Sequence, residues 1–142
     1  MKVSSGVLFI KDKKVLLAHS VYQNHWDIPK GQAEHNEKHF VETAIRECRE
    51  EIGFDIFAEN LIPLGVKKYN EKKDLVLYLY NGTVFPDVNR CKSITTKGPN
   101  GEEIPEMDDF KYVAFEELKD YCPKNLYVIL KDIIEYYYRV EI

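Results

Sequence analysis

The sequence predicts an α/β domain, and three observations carry that expectation. Apolar runs of strand length bounded by polar turns open the chain, a segment of helical periodicity follows them, and further strand-like runs precede an amphipathic stretch near the C-terminal end. Strand and helix patterns that alternate in this way bury their apolar faces by stacking helices on a sheet.

In chain order, V-S-S-G-V-L-F-I (Val3 to Ile10) and V-L-L-A (Val15 to Ala18) flank the polar K-D-K-K and read as a hairpin. H-W-D-I-P-K-G then reads as a strand running into a loop, because Pro29 biases Ile28 toward an extended conformation and Gly31 permits a sharp bend. A helix is expected from about Glu37 to Ile52, with Asn36 as N-cap and Gly53 as terminator. Leu61 to Tyr69 and Leu75 to Tyr80 read as two strands around N-E-K-K-D, the second apolar enough to be central. Pro86 to Met107 holds most of the turn residues and reads as a surface excursion. A strand at Phe110 to Phe115, a short E-E-L-K segment and an amphipathic helix from Asn125 to Tyr138 complete the chain.

Composition narrows the function classes. The 142 residues fit one domain over residues 1–142, and 44% hydrophobic with 31% charged residues is the balance of a globular protein. No charged-then-apolar leader and no bilayer-length apolar run is present, which points to a cytoplasmic protein without a membrane partner. A formal net charge of -4 argues against broad nonspecific binding to nucleic acid. Cys48, Cys91 and Cys122 are odd in number and widely spaced, so neither a disulfide framework nor a zinc site is indicated.

The helix holds the informative pattern. At about 100° per residue, Phe40, Val41, Ala44, Ile45, Cys48 and Ile52 fall on one apolar arc, and Glu47, Glu50 and Glu51 share a strip beside it. Like charges at i,i+4 cost roughly 0.2–0.5 kcal/mol, and anions in a last turn oppose the helix dipole by roughly 0.3–1 kcal/mol each. A divalent cation reverses the sign of both effects, and oxygen ligands in this number suit magnesium or manganese. Taken by itself, E-C-R-E-E is also the pattern of a solvated helical face, with Arg46 and Arg49 in local ion pairs.

The surroundings decide between the two. W-D-I-P-K precedes G-Q-A-E-H-N-E, and R-E-C-R-E-E-I-G-F follows; here the sequence resembles the Nudix hydrolase family. Gly31, Glu37, Arg46, Glu47, Cys48, Glu50, Glu51, Gly53 and Phe54 fill places of the family pattern, with one departure: Arg46 follows Glu37 by nine positions where the pattern has eight. The paired N-terminal strands and the late E-M-D-D-F-K-Y-V-A-F-E-E-L segment extend the resemblance over most of the chain.

The resemblance implies a fold and a chemistry. The fold is an α/β/α sandwich around a mixed β-sheet. Glu47, Glu50, Glu51 and the Gly31 carbonyl are the expected ligands of magnesium, or of manganese, and Glu50 is the preferred general base. Arg46 is expected to orient the carboxylates by charge-assisted hydrogen bonds. Lys30 reads either as a phosphate contact or as an ordinary surface lysine. Glu34 is a candidate substrate contact, and the extra residue places it and Glu37 below the helical carboxylates. Trp26 reads as packing before base stacking, and His25 as a minor candidate. Tyr69, Tyr78 and Tyr80 are candidates for a base pocket if they face the helix.

The expected substrate is a nucleoside diphosphate linked to another moiety, such as a dinucleoside polyphosphate or ADP-ribose. A capped or triphosphorylated RNA end is the alternative substrate, and a Nudix module that binds nucleotide without turnover the alternative of another class.

Overall fold

The computed structural model describes residues 1–142. Ten strands and three helices follow the predicted alternation: β1 (Lys2–Leu8), β2 (Ile10–Lys11), β3 (Lys14–Ser20), β4 (Trp26–Asp27), β5 (Lys30–Gln32), α1 (Phe40–Ile52), β6 (Leu61–Asn70), β7 (Lys73–Tyr80), β8 (Thr95–Lys97), β9 (Glu103–Pro105), β10 (Met107–Ala114), α2 (Leu118–Tyr121) and α3 (Lys124–Tyr138). A mixed sheet runs in the order β5-β1-β7-β6, with β1 and β7 parallel and the other pairs antiparallel. An antiparallel sheet of order β10-β3-β2 carries β4 on β3.

Alternation along the central strands explains why both sheet faces are covered. Val7, Phe9, Leu16 and Ala18 pack with Ala44, Cys48 and Ile52 of α1. Their neighbours Leu8, Ile10, Val15 and Leu17 pack with Leu126, Ile129, Leu130, Ile133 and Ile134 of α3. Successive strand side chains point to opposite faces, so these strands feed two cores and need an apolar residue at almost every position. The result is the α/β/α sandwich the resemblance implied, with β7 central as expected.

Four local expectations are corrected. The first hairpin is confined to β2 and β3, joined by Asp12 and Lys13 at φ 52° and 59°. Most of the Val3-to-Ile10 run pairs instead with β5 and β7, because the chain changes sheets at Phe9. The approach to Gly31 is two short strands, with β5 antiparallel to β1. Helix α1 starts at Phe40, with His39 and not Asn36 at the N-cap and no side-chain cap bond; Phe40 is 45% exposed and lies off the buried arc. The Pro86-to-Met107 excursion contains a hairpin of its own, β8 with β9. No helix is long and apolar enough to cross a membrane.

Candidate active site

The site is built where the end of β5 meets the inner side of α1. Gly31 is a residue of β5 and not the sharp bend expected, and it sits against the Glu47 carboxylate so closely that a Cβ there would overlap it, which explains why the position takes glycine. One residue earlier, the Lys30 backbone N–H donates to Glu51 Oε1 at 2.9 Å. Gly53 ends the helix in the left-handed conformation at φ 73°, its N–H donating to the Arg49 carbonyl. Strand and helix thus hold the acidic turn from both sides.

Arg46 is the hub. Its Nε donates to Glu37 Oε2 at 2.7 Å, Nη1 to Glu47 Oε1 at 2.7 Å and to Glu50 Oε1 at 3.0 Å, and Nη2 to the Gln32 carbonyl at 2.8 Å. These are charge-assisted bonds in a planar fork that Lys does not reproduce. Glu34 lies 3.4 Å from the same guanidinium but is 53% exposed, so it stands at the rim. Glu37 precedes the helix and accepts from the Glu34 N–H and the Thr43 hydroxyl as well, both at 2.9 Å. The Arg46 hydrogen bond holds its carboxyl at about 2, well below the usual range. Arg46 is in turn raised above its ordinary value, chiefly by Glu37.

The helical carboxylates differ in environment. The side chains of Glu47 and Glu50 are 14% and 29% exposed. Glu51 is 7% exposed, within the packing and not beside it as the helical wheel placed it. Burial pushes its carboxyl up to about 9, against the Lys30 N–H and with help from Glu47, Asp27 and Glu106. Burial also raises Glu47, opposed by Arg46. Glu106, just before β10, is raised by burial and by Glu50. Sequence reasoning missed Glu106; its signal was its place at the head of the late segment that resembles the family, masked by Glu102, Glu103, Asp108 and Asp109 around it.

A cleft of about 180 Å³ opens beside this cluster, lined by Ser20, Gln23, His25, Asp27, Lys30 and Glu51, among others. Lys30 is no free surface charge: its ammonium pairs with Asp27 at 3.2 Å and is 15% exposed. Burial works against that charge, but Asp27 outweighs it and the pKa is raised. Trp26 packs edge-on against Tyr121 with ring centroids 5.7 Å apart, the packing placement. Tyr80 is buried in an aromatic cluster with Phe9, Phe54 and Phe85, so it does not line this cleft. Tyr69 lies on the α3 side, beneath the ammonium groups of Lys30 and Lys73. Tyr78 packs with the α1-side core.

No three acidic, histidine or cysteine side chains converge on one point, because Arg46 occupies Glu47 and Glu50. The donor set nevertheless fits a hard divalent cation. Glu51 is a buried carboxylate whose one hydrogen-bond partner is a backbone amide, and the neighbouring donors are oxygens, with Cys48 turned into the core. Arg46 is the one basic side chain paired with the helical carboxylates.

Comparison with known proteins identifies the family. The NUDIX domain family matches residues 1–135. An uncharacterized 17.7 kDa protein from the e-segB intergenic region of Enterobacteria phage T4 is 32% identical over 143 residues, covering 92% of this chain and 94% of its own. Among solved structures, a C. elegans Ap4A hydrolase binary complex superposes with a TM-score of 0.63 at 19% identity, covering 99% of this chain and 100% of that one. A bifunctional NMN adenylyltransferase/ADP ribose pyrophosphatase from Francisella tularensis, complexed with AMP and a manganese ion, superposes with a TM-score of 0.66 at 17% identity, covering 95% of this chain and 41% of that one. At such identities the two structures speak for the fold, and the family match over nearly the whole chain carries the assignment. The chain belongs to the NUDIX domain family and is a hydrolase of the Nudix type.

Proposed function

We propose that the chain hydrolyses a phosphoanhydride bond in a nucleoside diphosphate linked to a second moiety, such as a dinucleoside polyphosphate or ADP-ribose, with magnesium as its metal. The observation that carries the reading is the acidic cluster itself: Glu47, Glu50 and buried Glu51 gathered against β5 at Lys30 and Gly31, with Arg46 paired to the first two. Glu47, Glu50, Glu51 and the Gly31 carbonyl are the groups that would hold the ion. Magnesium bound there supplies neutralisation of the diphosphate charge and a water of lowered pKa.

The chain's own residues divide the remaining work. Glu50, the most exposed of the three helical acids, would accept the proton from the attacking water. Arg46 gathers the carboxylates of Glu37, Glu47 and Glu50 by charge-assisted hydrogen bonds, and Glu47 and Glu50 would turn an oxygen from it toward the ion. Lys30 brings one positive charge to the cleft but shares it with Asp27, so its contribution to phosphate binding is smaller than that of a free lysine. Glu34, exposed at the rim, is the outer candidate for contact with substrate.

The proposed substrate class draws its support from the H-W-D-I-P-K-G segment and from fold neighbours named for Ap4A and ADP-ribose. The test is product formation, with and without magnesium, on diadenosine polyphosphates, ADP-ribose, nucleotide sugars, nucleoside triphosphates and triphosphorylated RNA. Magnesium-dependent cleavage of the first two classes is expected. Nucleotide binding without turnover of any of them would replace the proposal with a binding module.

A further inference from the structure

Three backbone hydrogen bonds lead in sequence away from the acidic end of α1. The Ile94 N–H donates to the Glu50 carbonyl at 2.7 Å, the Glu106 N–H to the Ile94 carbonyl at 3.0 Å, and the Val21 N–H to the Glu106 carbonyl at 3.1 Å. A parallel tie joins the Lys92 N–H to the Ile52 carbonyl at 3.1 Å. The line therefore runs from the helix that carries Glu47, Glu50 and Glu51, through residues 92–94 of the excursion, to the segment after β3. Ser20 at the end of β3, and Gln23 and His25 of that segment, line the cleft.

Ser93 sits at the crossing. It is 5% exposed, and its Oγ accepts from the Met107 N–H at 2.9 Å while lying 3.0 Å from the Ile94 carbonyl and 3.3 Å from the Met107 carbonyl. The need for a hydroxyl is local. The ladder between β10 and β3 is irregular between Met107 and Asp109, and the Met107 N–H bonds to the serine instead. A buried amide left without a partner carries its full desolvation cost. Residue 106, immediately before that amide, is the carboxylate delivered from outside α1 into the field of Glu47, Glu50 and Glu51.

We propose that Ser93 is a positioning residue for the reaction, a clasp that sets the distance between the acidic helix end and Glu106 just before β10. The proposal rests on the reading of that cluster as the metal site. Removing the hydroxyl frees the start of β10, lets Glu106 withdraw from Glu50, and loosens the Ile94 bond to the last turn of α1.

The test uses the full chain, unmodified and as Ser93→Ala, Ser93→Thr, Glu106→Gln and the Ser93→Ala/Glu106→Gln double variant. Magnesium and manganese affinity are measured calorimetrically without nucleotide, kcat and KM on whichever diphosphate is cleaved, and hydrogen exchange over residues 93–107. Ser93→Ala is expected to weaken metal binding and lower kcat by about tenfold, the low end for loss of a group that orients ligands. KM is expected to change little, and exchange over residues 93–107 to quicken. Ser93→Thr, which keeps the hydroxyl, is expected to recover most of the loss. Because the clasp acts through Glu106, Glu106→Gln is expected to show a similar loss, and the double variant to lose no more than the larger single effect.

Metal affinity and kcat unchanged in Ser93→Ala, whatever its thermal stability, would overturn the proposal, and so would additive losses in the double variant. Should Ser93→Ala fail to fold, unchanged metal affinity in Glu106→Gln alone overturns it. An unmodified chain that neither binds a divalent ion nor cleaves any diphosphate overturns the proposed function and the clasp together. An active unmodified chain indifferent to the Ser93 hydroxyl overturns the clasp alone.

Discussion

Arg46 and Glu37 show how much of the site depends on single side chains. Glu37 lies outside the helix, yet three donors meet its carboxylate and hold its pKa at about 2. A carboxyl depressed in the folded state contributes stability that is present above its unfolded pKa and lost as pH falls through the folded one. Glu37→Gln should therefore be less stable than the unmodified chain at neutral pH, with the gap narrowing between about pH 4.5 and 2. Urea midpoints across that range measure it, and a gap independent of pH would show that the Arg46 pair is not its source. Glu50 poses a different question, since it contributes charge and little packing. Glu50→Gln is expected to lower kcat by roughly 10²–10⁴-fold, the range for loss of a general base. Its thermal midpoint should barely move, and near-normal turnover would remove Glu50 from that role.

Helix α1 is the element on which the chemistry is mounted, and its two ends are made differently. The N-terminal end has no side-chain cap bond, and the loop before it is held by Glu37 reaching forward to Thr43 and Arg46. The C-terminal end is closed by Gly53 in the left-handed region, where an added Cβ would stand 2.8 Å from the Lys92 carbonyl. Gly53→Ala therefore combines left-handed strain of roughly 1–2 kcal/mol with a clash against backbone. The variant is expected to lose at least that much in denaturant unfolding and to disturb the Lys92 tie to Ile52. A loss no greater than that of an exposed glycine-to-alanine change would mean that the helix end relaxes freely. The same element explains the missed start of the helix: residues 37–39 have helical composition, but Glu37 is drawn into a tertiary contact that a helical backbone there does not provide.

At the scale of the molecule, two cores squeeze a sheet system between α1 and α3, and one acid is buried where α1 meets β5 without a countercharge. Glu51 has a folded pKa raised to about 9. Between its unfolded value and that one the folded state binds the extra proton, so in chelator its contribution opposes folding increasingly as pH rises from about 4.5 to 9. Glu51→Gln should then be more stable than the unmodified chain at pH 8 in chelator and gain nothing near pH 4. If the cluster takes magnesium, an excess of about a hundredfold over Kd adds about 2.7 kcal/mol, a rise in Tm on the order of 5–10 °C for a chain of this size. That rise should shrink in the Glu51→Gln variant. Thermal melts by circular dichroism check both; equal pH profiles for the two chains would show that Glu51 is not charged by rising pH.

The sequence by itself determined the order of strands and helices, the central place of Leu75 to Tyr80, the family, and the identity of the acidic turn. The family rests on the resemblance of its G-Q-A-E-H-N-E and R-E-C-R-E-E-I-G-F segments, and the others on local pattern: period-two and period-3.6 apolar spacing, a terminating glycine, and carboxylates set against both the helix dipole and one another. Only the tertiary structure decided that the first strand leaves its hairpin for the other sheet, that Arg46 gathers Glu37 with Glu47 and Glu50, and that Glu51 lies inside the packing. It also brought in Glu106, fifty-five residues beyond Glu51 in the chain, through hydrogen bonds of the excursion that have no period to read. The difference is physical: a helical wheel places a side chain on its own helix, whereas burial, countercharge and reach depend on which other elements pack against it.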